Sequence, residues 1–194
     1  MSRILSTLAL ALLLALTASA QDAWQLDPPH SSAQFSVRHL GLSTVRGAFA
    51  KVNGSVLYDP ANPGKSSIQV TIDAASVDTR VEMRDNDLRS ANFFDVQKYP
   101  TITFQSKKVE SAGPGKLKVA GDLTLHGVTK EVILDVDGPT PAIKDPMGKQ
   151  RLRMGAAATT RISRNDFGVS ADAGMVGDEI TITLDIEMTR PESK

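Results

Sequence analysis

The chain has 194 residues, with 22 basic side chains balanced by 22 acidic ones, and it contains no cysteine. That balance offers no pull toward nucleic acid or an anionic membrane surface, and the missing thiols exclude disulfides, thiolate catalysis and lipid attachment through cysteine. With 6 Phe, 2 Tyr and 1 Trp, the chain is also too poor in aromatics to build the girdles of a membrane barrel.

In chain order, Arg3, an apolar run over residues 8–16 and Ala18-Ser19-Ala20 read as a signal peptide cleaved after residue 20. The run is too short to span a bilayer, so no stable membrane insertion is expected. Residues 21–194 are then expected to be a single exported domain in the periplasm. Loss of Arg3 leaves 21 basic residues against 22 acidic ones, a net charge of about −1.

Beyond this, the pattern is almost entirely period-two. Residues 24–26 form a short extended piece broken by Pro28-Pro29. Ala33, Phe35, Val37 and His39 then share one face of a strand. Residues 45–58 form a long β region in which Val45, Gly47 and Phe49 are out of phase with Val52, Gly54, Val56 and Tyr58, predicting a bulge or bend beside glycine. Ile68, Val70 and Ile72 mark the next strand.

Residues 79–106 interrupt the alternation. Thr79 and Glu82 match a capping box for a helix over residues 80–90. Arg84 and Asp85 fall on the same face as Val81 and Leu88. They are either solvated or a half-buried charged pair tying the helix to nearby strands, and the second reading is preferred. Pro100 ends this segment and Ile102 and Phe104 restart a strand. Leu117, Val119, Gly121, Leu123 and Leu125 share the face of the following strand, and Val132, Leu134 and Val136 that of the one after. Next comes a strand with Leu152, Met154, Ala156 and Ala158 facing one way. Residues 165–177 read as a loop loosened by small residues, and Ile180, Ile182, Leu184, Ile186 and Met188 line the last strand.

About eight strands, each with one apolar face and joined mostly by short turns, predict an all-β fold: an eight-stranded antiparallel barrel with a short helix between strands 3 and 4, in preference to a two-sheet sandwich. No nucleophile elbow, phosphate loop or pairing of carboxylates points to catalysis, so no enzyme, catalytic residue or cofactor is expected. His30, His39 and His126 lack metal-ligand spacing, and no metal site is expected. His39 shares the parity of Phe35 and Val37, which sets a polar tip at one end of the interior. Small residues on the inner face (Ala156, Ala158, Gly47, Gly121) either leave an apolar cavity or are filled by phenylalanines from opposite strands; the pattern alone leaves both open.

The ordered set Trp24, Asp27, His30-Ser31, Phe35-x-Val37-x-His39, Gly47-x-Phe49, Gly54, Arg84-Asp85…Leu88, Phe93-Phe94-Asp95, Tyr99-Pro100-x-x-x-Phe104-x-Ser106, Gly121-x-Leu123-Thr124-x-His126-Gly127-Val128-Thr129-Lys130 and Arg164-x-x-Phe167-Gly168 resembles the YceI-like family across residues 21–194. One departure stands out: Asp87 occupies the helix position where the family usually has histidine. The resemblance implies a lipocalin-like barrel whose pore binds an isoprenoid chain, such as a polyprenyl quinone, or a related long-chain amphiphile. The partner implied is thus a lipid, carried or sequestered in the periplasm; a homodimer is left open. The alternative is a stress-related structural or interaction protein with a packed barrel. Parity nominates Phe35, Val37, His39, Phe49, Phe104, Leu123, Met154, Ala156, Ile182 and Leu184 as ligand-facing, with Phe93 and Phe94 at the mouth and Arg84 and Asp85 as an anchor for the helix.

Overall fold

The structure is a computed structural model that describes residues 22–192; the segment read as a signal peptide lies outside them. The strands are β1 (Asp22–Leu26), β2 (Ser32–His39), β3 (Ser43–Phe49), β4 (Val52–Tyr58), β5 (Ser67–Asp73) and β6 (Val77–Asp78). The helix α1 (Glu82–Arg89) follows. Then come β7 (Thr101–Ser111), β8 (Lys116–Leu125), β9 (Val128–Asp137), β10 (Ile143–Lys144), β11 (Arg151–Ser163) and β12 (Val176–Pro191). Hydrogen bonding runs β11–β9–β8–β7–β5–β4–β1–β12, and β12 returns to β11 along all 13 residues of β11, which closes an antiparallel barrel. β2, β3 and β6 continue β1, β4 and β5 past a break, so eight positions encircle the axis.

Those breaks occur in three neighbouring positions. Pro28-Pro29 enforces a 3₁₀ turn between β1 and β2 because proline removes the donors a ladder needs. Ala50 and Lys51 separate β3 from β4, their amides turning instead to the carbonyl and hydroxyl of Ser76. Residues Ala74–Ser76 form the third break, with Asp73 accepting from the Ala75 amide at 3.0 Å. The phase change expected beside glycine therefore sits at residues 50–51. Above this level β2, β3, β6 and the start of β12 make an upper tier. There β12 also slips register, with Val176 opposite His39 but Ile180 opposite Val37.

The expected capping box does not form. Helix α1 begins only at Glu82, its N-cap is Val81, and Arg80 adopts a φ of 65° that ends any helical run before it. Thr79 is instead buried and gives both its amide (2.8 Å) and its hydroxyl (2.5 Å) to one oxygen of Asp85. Arg84 Nε donates to the same Thr79 hydroxyl at 2.8 Å, and Arg84 Nη2 to the Thr79 carbonyl at 3.0 Å. Arg84 and Asp85 thus hold the helix to the end of β6 through one threonine and make no direct pair. Val81, expected on the packed face, is exposed, whereas Leu88 packs on the core.

A second polar cluster braces the break between β1 and β2 from outside the barrel. Arg153, only 8% exposed, donates to Asp145 (Nε, 3.0 Å), to Asp27 (Nη1, 2.8 Å) and to Glu187, while Arg151 Nε reaches Asp145 at 2.5 Å. The Asp145 side chain is fully shielded from solvent. Burial alone would raise the Asp27 and Asp145 carboxyls. Hydrogen bonds from Arg153 and His30 on Asp27, and from the Met147 amide and Arg153 on Asp145, reverse this and hold both below the ordinary 3.8.

Two outcomes follow for stability. Removing the acceptor in Asp85→Ala leaves the Thr79 amide buried without a partner and is expected to destabilise by about 1–3 kcal/mol in chemical denaturation. For Asp27 and Asp145, lowered folded values mean the stabilisation is complete well above 3.8 and is lost as pH falls through the lowered values. Arg153→Met should therefore melt lower than the parent near neutral pH, and the gap should narrow in melts taken at about pH 2.

Candidate ligand-binding site

The barrel interior is hollow. A cavity of about 250 Å³ runs from Val176 and Ile180 at one end to Met188, Tyr58 and Leu117 toward the other. From Ile180 to Met188 the wall covers eight residue steps of β12, roughly 26 Å along the strand at ~3.3 Å per residue, or about 20 Å along the axis once strand tilt is included. The inward residues Ile180, Ile182, Leu184 and Ile186 are only half-buried although none faces the outside, because they border this space. A dry apolar cavity of roughly 150 Å³ already accepts benzene, so the hollow has room for a substantial apolar ligand.

Its wall is almost entirely hydrocarbon. The exceptions are Gln34, Tyr58, Ser66, Thr160 and Arg164. Arg164 is 4% exposed and spends its guanidinium on backbone carbonyls: Nε on Gly177 (3.0 Å), Nη1 on Val169 (3.0 Å) and Ala171 (2.7 Å), Nη2 on Val176 (3.0 Å). It therefore adds no free charge to the wall. It also makes residues 165–177 a tethered loop, in contrast to the loosened one their small residues suggest.

Of the residues nominated by parity, Phe35, Val37, Phe49, Phe104 and Leu123 line the cavity, as do Ala156, Ile182 and Leu184. Phe93 and Phe94 border it from the segment after α1. Met154 does not reach the cavity; it is 4% exposed and packed into the core cluster. The inward glycines do not create the space either. A Cβ on Gly47 would lie 2.5 Å from the Phe35 ring and 2.8 Å from the Thr79 methyl, and one on Gly121 would lie 2.5 Å from the Phe104 ring. Those rings fill the space in front of the glycines, while Ala156 and Ala158 border the open space.

At the upper tier a second cavity of about 200 Å³ adjoins the first, the two sharing Phe35, Val37, Leu88, Phe93 and Val176. Its remaining lining is His39, Val45, Arg84, Asp87 and Asp172. This is the polar mouth, and α1 lies along it. Leu42 and Met83, 81% and 82% exposed, and Leu40 and Met175, joined by a 2.7 Å backbone hydrogen bond, project next to it. Asp172 and Val176 were not legible as mouth residues, because the Arg164 tether that carries them there spans unpatterned sequence. At the lower end, Trp24 is 2% exposed with the Arg190 guanidinium 5.0 Å from its ring centroid.

The other histidines have local roles. His126, at φ 52°, forms with Gly127 the two-residue turn between β8 and β9; its Nδ1 lies 3.3 Å from the Phe167 carbonyl and its ring meets Tyr99 edge-on at 4.7 Å. His30 lies 3.0 Å from Asp27. Asp27, His30 and Glu187 have ligand atoms close enough for a cation, but the Arg153 guanidinium already bridges the two carboxylates.

A closed antiparallel barrel around a long apolar hollow with a polar mouth defines a hollow β-barrel protein. The chain belongs to the YceI-like domain family, whose model matches residues 24–188. A UPF0312 protein of Vibrio cholerae is 46% identical over 140 residues, 72% of each chain. Among solved structures, Burkholderia cenocepacia BcnA superposes with a TM-score of 0.72 at 27% identity, covering 84% of this chain and 98% of BcnA. A polyisoprenoid binding domain from Saccharophagus degradans shares the fold at 18% identity and a TM-score of 0.62, over 87% of this chain and 98% of its own.

Filling the hollow should abolish any uptake it supports. Ala156→Phe is expected to cut incorporation of a fluorescent long-chain probe at least about tenfold while the far-UV dichroism stays that of a β-barrel. Unchanged uptake would remove Ala156 from the ligand path.

Proposed function

We propose that this protein binds an isoprenoid lipid, polyprenyl quinone-like or a similar long-chain amphiphile, inside the barrel and acts as a periplasmic carrier or sequestering protein, with no catalytic step. The observation that carries the reading is the continuous hydrocarbon-walled cavity of about 250 Å³ ending at a polar mouth. A chain with an apolar tail and a polar tip matches that division. The likeness in fold to a domain described as polyisoprenoid binding supports the choice of chain class.

Burial of the tail supplies the affinity. Each methylene removed from water contributes about 0.8 kcal/mol before the costs of association, so a long prenyl chain binds tightly with few polar contacts. Phe35, Phe49 and Phe94 form a tilted aromatic series, with ring centroids 5.8 and 5.6 Å apart, beside the path such a chain would take. The apolar tips Leu42 and Met83 next to the mouth suit exchange of the lipid at a surface rather than through bulk water.

Native purification followed by organic extraction and mass spectrometry tests the proposal. A stoichiometric isoprenoid or long-chain amphiphile is expected. A protein that carries no lipid and takes none up from vesicles would overturn it in favour of a structural or interaction role.

A further inference from the structure

The mouth holds more information than a polar rim requires. Resting on the lipid-binding reading above, we propose that the second cavity is a head-group subsite for an uncharged or cationic group bearing O–H or N–H donors, and that it rejects carboxylate and phosphate heads.

The charges decide this. Among the described residues Arg84 is the only arginine or lysine lining the cavity, and two of its donors are already engaged. Its Nε and Nη2 donate to Thr79, whose hydroxyl and amide in turn hold the buried carboxylate of Asp85. The positive charge thus borders the cavity with the Asp85 carboxylate behind it, and only Nη1 is left without an acceptor among the described residues.

The acceptors are not compensated. Asp87 Oδ1 receives the Asn92 amide at 2.8 Å and the Ser90 hydroxyl at 3.3 Å, which leaves Oδ2 without a donor among the described residues. For Asp172 only the backbone carbonyl is engaged, by the Met175 and Val176 amides at 3.0 and 2.9 Å; its carboxylate has no donor among the described residues. Asp87 also lies in the last turn of α1, where the backbone dipole is negative. His39, half-buried and without a protein hydrogen bond among the described residues, can accept or donate.

Two carboxylates with free lone pairs beside one guanidinium, with the Asp85 carboxylate behind it, leave an excess of negative charge that attracts donors and repels anions. The positions are held firmly enough to discriminate. Arg164 fixes the loop carrying Asp172 through the Ala171 and Val176 carbonyls, and the Ser90 and Asn92 contacts hold Asp87. Both cavities share Phe35, Val37, Leu88, Phe93 and Val176, so a chain filling the barrel delivers its head to this spot.

The test is titration calorimetry with one geranylgeranyl chain carrying a hydroxyl, a primary amide, a carboxylate or a phosphate. The parent protein is expected to bind the alcohol and amide about tenfold or more tighter than the carboxylate and phosphate. In the Asp87→Asn/Asp172→Asn double variant that preference should collapse and the anionic probes should gain affinity. Asparagine is at home in the left-handed conformation that Asp172 adopts (φ 54°), so Asp172→Asn alone gives a folded control with an intermediate shift. Anionic probes binding the parent as well as the alcohol, or a preference that survives in the double variant, would overturn the subsite and leave lipid binding intact. Failure of every probe to bind would overturn both.

Discussion

Closure of the sheet is the constraint on which the rest depends. The 13-residue pairing of β11 with β12 satisfies backbone groups that would otherwise lie along two open edges. Closing eight positions also sets a circumference, and with it an interior diameter that side chains must fill or leave empty. Here β11, hydrogen-bonded beside the long strand β12, carries Ala156 and Ala158, whose methyls stop far short of the axis. The hollow is therefore a consequence of ring size combined with small side chains, and it remains apolar because every strand turns its hydrocarbon face inward.

A second constraint acts at right angles to the first. Three adjacent barrel positions break at one level, at Pro28-Pro29, at residues 50–51 and at Ala74–Ser76. Continuous strands there would complete a plain cylinder. The break splits off an upper tier of β2, β3 and β6, and α1 hangs from it. Two buried polar devices hold the arrangement: Thr79 with Arg84 and Asp85 above, and Arg153 with Asp27, Asp145 and Glu187 below. Both work by satisfying buried charge locally, so removing one partner costs more than the pair itself contributes. Thr79 also explains Gly47, since its methyl and the Phe35 ring together occupy the space a larger residue would need. The helix, the glycine and the aromatic wall of the cavity are thus parts of one packing arrangement.

Much of this was legible in the residues themselves. Period-two alternation requires a strand with one buried face, and so Phe35, Val37, Phe104, Ile182 and Leu184 could be assigned inward without knowing their neighbours. The same rule misleads at Met154, which faces inward but is covered by its neighbours and never meets the cavity. It is silent on glycine, where parity gives a direction but not what lies in front; Phe35 and Phe104 take the space beside Gly47 and Gly121. The capping pattern at Thr79 and Glu82 failed for a related reason. A buried carboxylate three residues further on competes for the same threonine, and the competition is settled by burial, which a local motif does not encode.

The sequence alone determines what depends on short-range geometry: which segments are strands, which face of each is apolar, where proline and glycine end them, and that Arg84 and Asp85 sit together at the edge of a short helix. Only the tertiary structure decides what arises where distant segments meet. The hollow depends on the sum of side-chain volumes around a closed ring. The mouth depends on Asp87 from α1, His39 from β2 and Asp172 from a loop that Arg164 ties down arriving at one place. Charges far apart along the chain reveal nothing of each other until closure brings them together.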